Sequence, residues 1–120
     1  MRKPTKPRIT EKEFQRQVVQ LAKLTGWMVH AERPAVNRRG RWSTPIQGDP
    51  GFPDLVLVRG WRILFVELKV LPNELTKAQD RWIDALKNGS ERAGDVVGVC
   101  VWTPDDWAWI ERTLARHDWD

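Results

Sequence analysis

The chain has 120 residues, 41% of them apolar and 30% charged, with 20 Lys and Arg against 16 Asp and Glu for a formal charge of +4. That profile fits one soluble domain with a single core and excludes a disordered tail or a membrane protein, since no apolar run approaches a transmembrane length. The lone cysteine, Cys100, sits inside the apolar run Val96 to Trp102 and leaves room for neither a disulfide framework nor a cysteine-ligated zinc site.

Residues 1–8 carry Arg2, Lys3, Lys6 and Arg8 with no acid, so residues 9–120 are neutral overall. We read 1–8 as a basic flexible tail and 9–120 as one domain; no signal-peptide pattern precedes it, and a cytoplasmic location is expected. Thr10 to about Thr25 has the stripe of an amphipathic helix (Phe14, Val18, Leu21), with Gly26 just past its end. Thr10 and Glu13 form a T-x-x-E capping box, and Ile9 with Phe14 suits a hydrophobic staple. Trp27 to about Glu32 is a short strand. Arg33 to Pro53 shows no periodicity, and residues 33–47 hold Arg33, Arg38, Arg39 and Arg41 without an acid. A loop of that length is expected to be functional, and its basic side chains with Trp42 suit phosphate contact and base stacking.

Asp54–Arg59 and Arg62–Val70 are β-rich runs joined by Gly60-Trp61, a pair suited to a two-residue II′ turn. A second helix is expected from Thr76 to about Lys87, ended by Asn88-Gly89. Val96 to Trp102 reads as a buried strand. Thr103-Pro104-Asp105-Asp106 then starts a last helix running to about Arg116, with Thr as cap and Pro at the first helical position. The order is α-β-β-β-α-β-α, an α/β domain. Eight Trp against three Phe and no Tyr leaves open whether the surplus fills a core or serves an interface.

Counting outward from the Gly60-Trp61 turn pairs Arg59 with Arg62 and Leu55 with Val66, and so sets Asp54 opposite Glu67. Opposed residues share a face with Cβ atoms roughly 4.5 to 5.5 Å apart, close enough for two carboxylates to hold one cation. Lys69, two residues on, falls on the same face. Like charges so placed are destabilising, which calls for a hard cation such as Mg²⁺ or Mn²⁺, or for one protonated partner.

These residues resemble the PD-(D/E)xK nuclease signature: Gly51-Phe52-Pro53-Asp54-Leu55, then Phe65-Val66-Glu67-Leu68-Lys69. With the helix Thr10 to Gln17 and the block Leu75-Thr76-Lys77-Ala78-Gln79 followed by Trp82, the chain resembles a stand-alone VRR-Nuc (virus-type replication-repair nuclease) domain of phages and bacteria. The resemblance implies a restriction-endonuclease-like core with a mixed four-stranded sheet flanked by helices. It also implies a metal-dependent DNA endonuclease acting on branched DNA such as a Holliday junction or flap. Asp54, Glu67 and the Leu68 carbonyl match the metal ligands, Lys69 the catalytic lysine, Gln79 the helix glutamine, and Glu11 the acid of the first helix, catalytic or at a second metal. Lys77 joins the basic loop as a DNA contact. No small-molecule cofactor and no membrane are expected, and a homodimer is the economical route to cutting two strands.

Other readings stand beside these. Glu13 competes with Glu11; its capping-box role and the inward position of Glu11 favour Glu11. Thr76-x-x-Gln79 is itself a capping box, so Gln79 has a purely structural alternative. His30 reads as a strand histidine and His117 as a surface one. A sequence-specific endonuclease on the same fold and a non-catalytic DNA-binding module remain the alternatives for function.

Overall fold

Helix α1, Glu11–Leu24, is capped as expected at one end of the capping box: Thr10 is extended, and its hydroxyl accepts the Glu13 N–H at 3.1 Å. The reciprocal half is replaced. Glu13 instead accepts from Arg16 Nε and Nη2 at 2.9 and 2.8 Å, and that pairing holds its carboxyl below the ordinary range. Our computed structural model describes residues 9–32 and 46–116, with the backbone of 35–36 and 42–43. The basic tail, Arg33, Arg38, Arg39, Arg41 and His117 lie outside the described residues, as does the Trp42 side chain.

Strands follow at β1 (Met28–Ala31), β2 (Ala35–Val36), β3 (Trp42–Ser43), β4 (Leu55–Arg59) and β5 (Arg62–Leu68). Helix α2 spans Lys77–Ala93, β6 spans Val97–Trp102, and α3 spans Trp107–Ala115 behind a 3-10 turn at Pro104–Asp106. Two expectations need correction. The stretch after Glu32 is not without structure, because β2 and β3 pair antiparallel, Ala35 with Ser43 and Val36 with Trp42. Pairs two residues long leave no periodicity to detect. Nor does α2 stop at Asn88-Gly89. A mid-helix glycine costs only about 1 kcal/mol against alanine. The chain leaves the helix at Gly94, whose φ is +60°.

The main sheet runs β1-β4-β5-β6. The first two pairings are antiparallel, and the β4–β5 register matches the count from the turn, Arg59 with Arg62 through Leu55 with Val66. Gly60 has φ +58° while no non-glycine among the described residues, Trp61 included, has positive φ, as a II′ turn requires. Helix α2 then carries the chain across to β6, which pairs parallel to β5. This is the restriction-endonuclease-like mixed sheet that the resemblance implies.

Side chains alternate across a strand, and the alternation sorts the layers. Leu55, Leu57, Leu64, Val66 and Leu68 join Trp102 in one buried cluster with Phe14, Val18 and Ala22 of α1 and Ile110 and Leu114 of α3. Glu67, between Val66 and Leu68, therefore points to the opposite face, where α2 lies. Trp27 and Trp102 belong to the core, whereas Trp61 and Trp109 are exposed. Arg59, paired with Arg62 in the turn, is itself buried: Nη1 donates to the carbonyls of Thr25 and Leu114, each at 2.8 Å, and the guanidinium lies 4.7 Å from the Trp27 ring. A cation thus meets orphan carbonyls at the ends of both α1 and α3. Cys100 lies half-buried on β6, and burial pushes its thiol up to about 11, consistent with an unreactive packing residue.

Candidate active site

Pro53 has no N–H to offer β5, so the β4–β5 ladder ends at Leu55 with Val66. The Asp54 side chain takes over. Its Oδ2 accepts the Leu68 N–H at 2.8 Å, while its backbone carbonyl accepts the Glu32 N–H at 3.2 Å. Asp54 is thereby stitched to strands on both sides, and its carboxylate is turned along the end of β5 toward Glu67.

Glu67 is 1% exposed. Its Oε1 accepts from Gln79 Nε2 at 3.2 Å, and its Oε2, fully buried, meets no donor among the described residues. The Glu67 carboxyl also interacts with the Asp54 carboxylate, another acceptor. Burial foremost, then the Asp54 charge and a proton shared with Asp54, push the Glu67 carboxyl up to about 8; Lys69 opposes this, and Glu11 adds to it. Two carboxyls in contact cannot both ionise without a proton or a cation between them.

Gln79 resolves its two readings by doing both. It is the third residue of the Thr76 capping box, its Oε1 accepting the Thr76 N–H at 2.9 Å and its N–H bonding the Thr76 hydroxyl at 3.2 Å. With the amide oxygen held by the cap, the NH₂ end has one way to face, toward Glu67. Glutamate at this position would preserve the box but exchange the donor for a third carboxylate. We expect Gln79→Glu to keep its helicity by circular dichroism and to lose about 100-fold or more in cleavage rate. Wild-type turnover in that variant would reduce Gln79 to a cap.

The remaining expected residues fall at varied distances from this pair. Lys69 follows β5, its N–H bonded to the Trp102 carbonyl at 2.9 Å, and its charge bears on Glu67. Glu11 is exposed, and its Oε1 accepts from Asn73 Nδ2 at 3.2 Å, tying the start of α1 to the loop after Lys69. Glu13 is engaged by Arg16 instead. Among the described residues no group of three or more His, Cys, Asp or Glu gathers at one point. Lys77 is exposed at the first turn of α2, and His30 is exposed on β1.

Two contributors were not anticipated. Asn73 carries no motif that would have flagged it. Gly51 did stand in the Gly51-Phe52-Pro53-Asp54 block, but its reason is tertiary: φ is +97°, and a Cβ there would sit 2.5 to 2.7 Å from the backbone of Ala78 and Gln79. The segment before Asp54 is laid directly on α2. Phe52 locks it further, packing edge-on against Phe65 at 6.1 Å and Trp82 at 5.0 Å.

The family model described as VRR-NUC domain matches residues 11–101, three quarters of the chain. The chain belongs to the VRR-NUC family. No curated protein and no solved structure gives a match. VRR-NUC is a nuclease-type family, so this is a hydrolase-type domain with DNA the implied substrate. No described helix of this VRR-NUC chain is long and apolar enough to cross a membrane.

The donor set suits a hard divalent cation. Every candidate ligand is oxygen, each carboxylate has one oxygen held by a protein N–H, and Glu67 Oε2 is left without a donor among the described residues. With two acids rather than three, a site at Asp54, Glu67 and the Leu68 carbonyl would leave several positions to water, as Mg²⁺ prefers.

Proposed function

We propose that this VRR-NUC chain is a Mg²⁺- or Mn²⁺-dependent endonuclease that hydrolyses DNA phosphodiester bonds, selective for branched structures such as a Holliday junction or flap. One observation carries the metal-dependent reading: the buried Glu67 carboxyl, its Oε2 without a donor among the described residues, interacts with the Asp54 carboxylate and with the Lys69 charge. Asp54, Glu67 and the Leu68 carbonyl would hold the cation, and Glu11 would serve a second metal or its waters. When bound, it supplies positive charge for the scissile phosphate and acidifies water.

The protein's own groups do the rest. The Leu68 N–H and the Gln79 amide fix the two carboxylates, so that no reorientation is needed during reaction. Lys69 presents a cation beside them for the attacking water and for charge growing on the phosphate. Lys77 and the arginines of the loop, Arg33, Arg38, Arg39 and Arg41, would hold flanking phosphates, with Trp42 against a base. Selectivity for branched DNA rests on the family resemblance. A C2 homodimer would pair two such sites for two strands, and the working place would be the cytoplasm of a bacterial or phage-infected cell.

The deciding experiment incubates the protein with linear duplex, flap and four-way-junction DNA, with and without Mg²⁺ or Mn²⁺. Cleavage of the branched substrates alone, and only with metal, is expected. Cutting of linear duplex at one site would mark a sequence-specific enzyme, and absence of both cleavage and Mn²⁺ binding by calorimetry a non-catalytic module.

A further inference from the structure

Beside the catalytic pair lies a groove of about 240 Å³ that the reaction as described leaves unused. One wall is Asp49 and Pro50, the other is α2 through Ala78, Arg81, Trp82 and Ala85. The Trp82 indole is fixed in place: its Nε1 donates to the Asp49 carbonyl at 3.3 Å, and its ring stands 88° to that of Phe52. Four residues before it and three after it, on the same helix face, stand alanines. Both line the groove beside the indole.

The rim carries one cation and one acid, Arg81 and Asp49. Arg81 approaches Asp49 at 3.8 Å with both side chains largely exposed, at 78% and 68%. Such a contact contributes little, and a phosphate can displace it. Lys77, four residues earlier, adds a cation back toward Gln79. The groove also adjoins the site along both walls: Trp82 is three residues from Gln79, roughly 4.5 Å along the helix axis, and Asp49 is five residues before Asp54.

A slot too small for a drug-sized ligand, apolar within and with a loosely held arginine at its rim, matches a single nucleobase with its phosphates outside. We propose that this groove takes an unpaired nucleobase of the nucleic-acid substrate next to the scissile phosphate, stacked on Trp82, with Arg81 on the adjoining phosphate. A base inside a duplex cannot enter it, so the slot would favour substrates that expose one. The inference deepens the nuclease reading and rests on it.

The test uses the full chain in EDTA, where binding is read without cleavage. Probes are a 15-mer of thymidylate and an abasic 15-mer of the same charge. Wild type should bind the base-bearing strand about ten-fold tighter than the abasic one. Ala85→Phe, which fills the slot without removing any polar group, should cut that preference at least three-fold while leaving the melting temperature within a few degrees. Arg81→Ala should reduce the slope of log K against log salt by about 0.7. Retention of the preference in Ala85→Phe overturns the proposal, as does equal wild-type affinity for the two probes. If wild type shows the preference but cuts no DNA with metal, the proposed activity fails while the slot stands. If Ala85→Phe unfolds, Trp82→Leu, which keeps apolar bulk but removes the stacking face, must lose the preference instead.

Discussion

Glu67→Gln will abolish metal-dependent cleavage and at the same time make the metal-free protein more stable at pH 8. Both effects come from the same carboxyl. In the folded chain it is pushed up to about 8 from 4.5, by burial first and by Asp54 second. Between those values the unfolded chain has released a proton that the folded chain keeps. Stability from this group is therefore whole below pH 4.5, declines as pH rises through the interval, and is lost above 8. Glutamine is nearly isosteric, can still accept the Gln79 bond through its oxygen, and never ionises.

The melting temperatures of variant and wild type should thus coincide near pH 4 and diverge by several degrees at pH 8.5, a free-energy gap on the order of a few kcal/mol. Mg²⁺ should reverse the order, because a cation that binds only the folded wild type stabilises it by mass action. Thermal melts at the two pH values, with EDTA and with Mg²⁺, read all of this. A variant no more stable than wild type in EDTA at pH 8.5 would contradict the buried, donor-poor oxygen; retained Mg²⁺-dependent cleavage would contradict its role.

Gly51→Ala will be the most damaging single-methyl change in the chain. Its φ of +97° alone disfavours any L side chain, and the added Cβ would fall 2.5 Å from the Ala78 carbonyl carbon, 2.6 Å from its oxygen and 2.7 Å from the Gln79 nitrogen. Those are helix backbone atoms, which no rotamer change can move aside. Either the Gly51–Asp54 segment lifts or α2 shifts. We expect a stability loss of about 3 kcal/mol, summing left-handed strain with overpacking.

The catalytic consequence is larger than the loss of stability. Asp54 rides on the segment that lifts, and Gln79 belongs to the turn that is pushed, so the two supports of the carboxylate pair separate. A misplacement of about 1 Å at the reacting groups can cost 100-fold, and we expect at least that in turnover at a temperature where the variant is folded. Gly89→Ala is the matched control, since nothing lies within 4 Å of its added methyl and it sits in the same helix. It should raise helix stability slightly and leave cleavage as it is. Wild-type turnover in Gly51→Ala would show that the close approach does not position the site.

What the sequence determines by itself is local. A glycine at the first position of a two-residue loop sets the β4–β5 register, and counting from it brings Asp54 level with Glu67 with no tertiary information. Thr10 and Thr76 mark their helix starts because a hydroxyl three residues from a free N–H needs no partner elsewhere. The family, too, is legible in four short blocks. The same locality explains the misses. Asn88-Gly89 resembles a stop, yet packing of α2 beside β6 outweighs a single weak residue. Glu13 has a capping position and still turns to Arg16, because a cation one turn further along the helix wins over a neutral N–H.

Only the tertiary structure decides the state of the site. Sequence counting gives two acids on one face; it does not say that one of them is sealed under α2 with an oxygen lacking a donor, or that the other is spent half on Leu68. Nor could it choose between the two readings of Gln79, which the fold satisfies together by holding each end of one amide. Register and caps follow from bonds between residues a few positions apart, whereas burial, desolvation and the approach of Gly51 to α2 depend on which surfaces the whole chain brings together. The first set the residues in line, and the second turn that line into a site whose two acids cannot both stay ionised unaided.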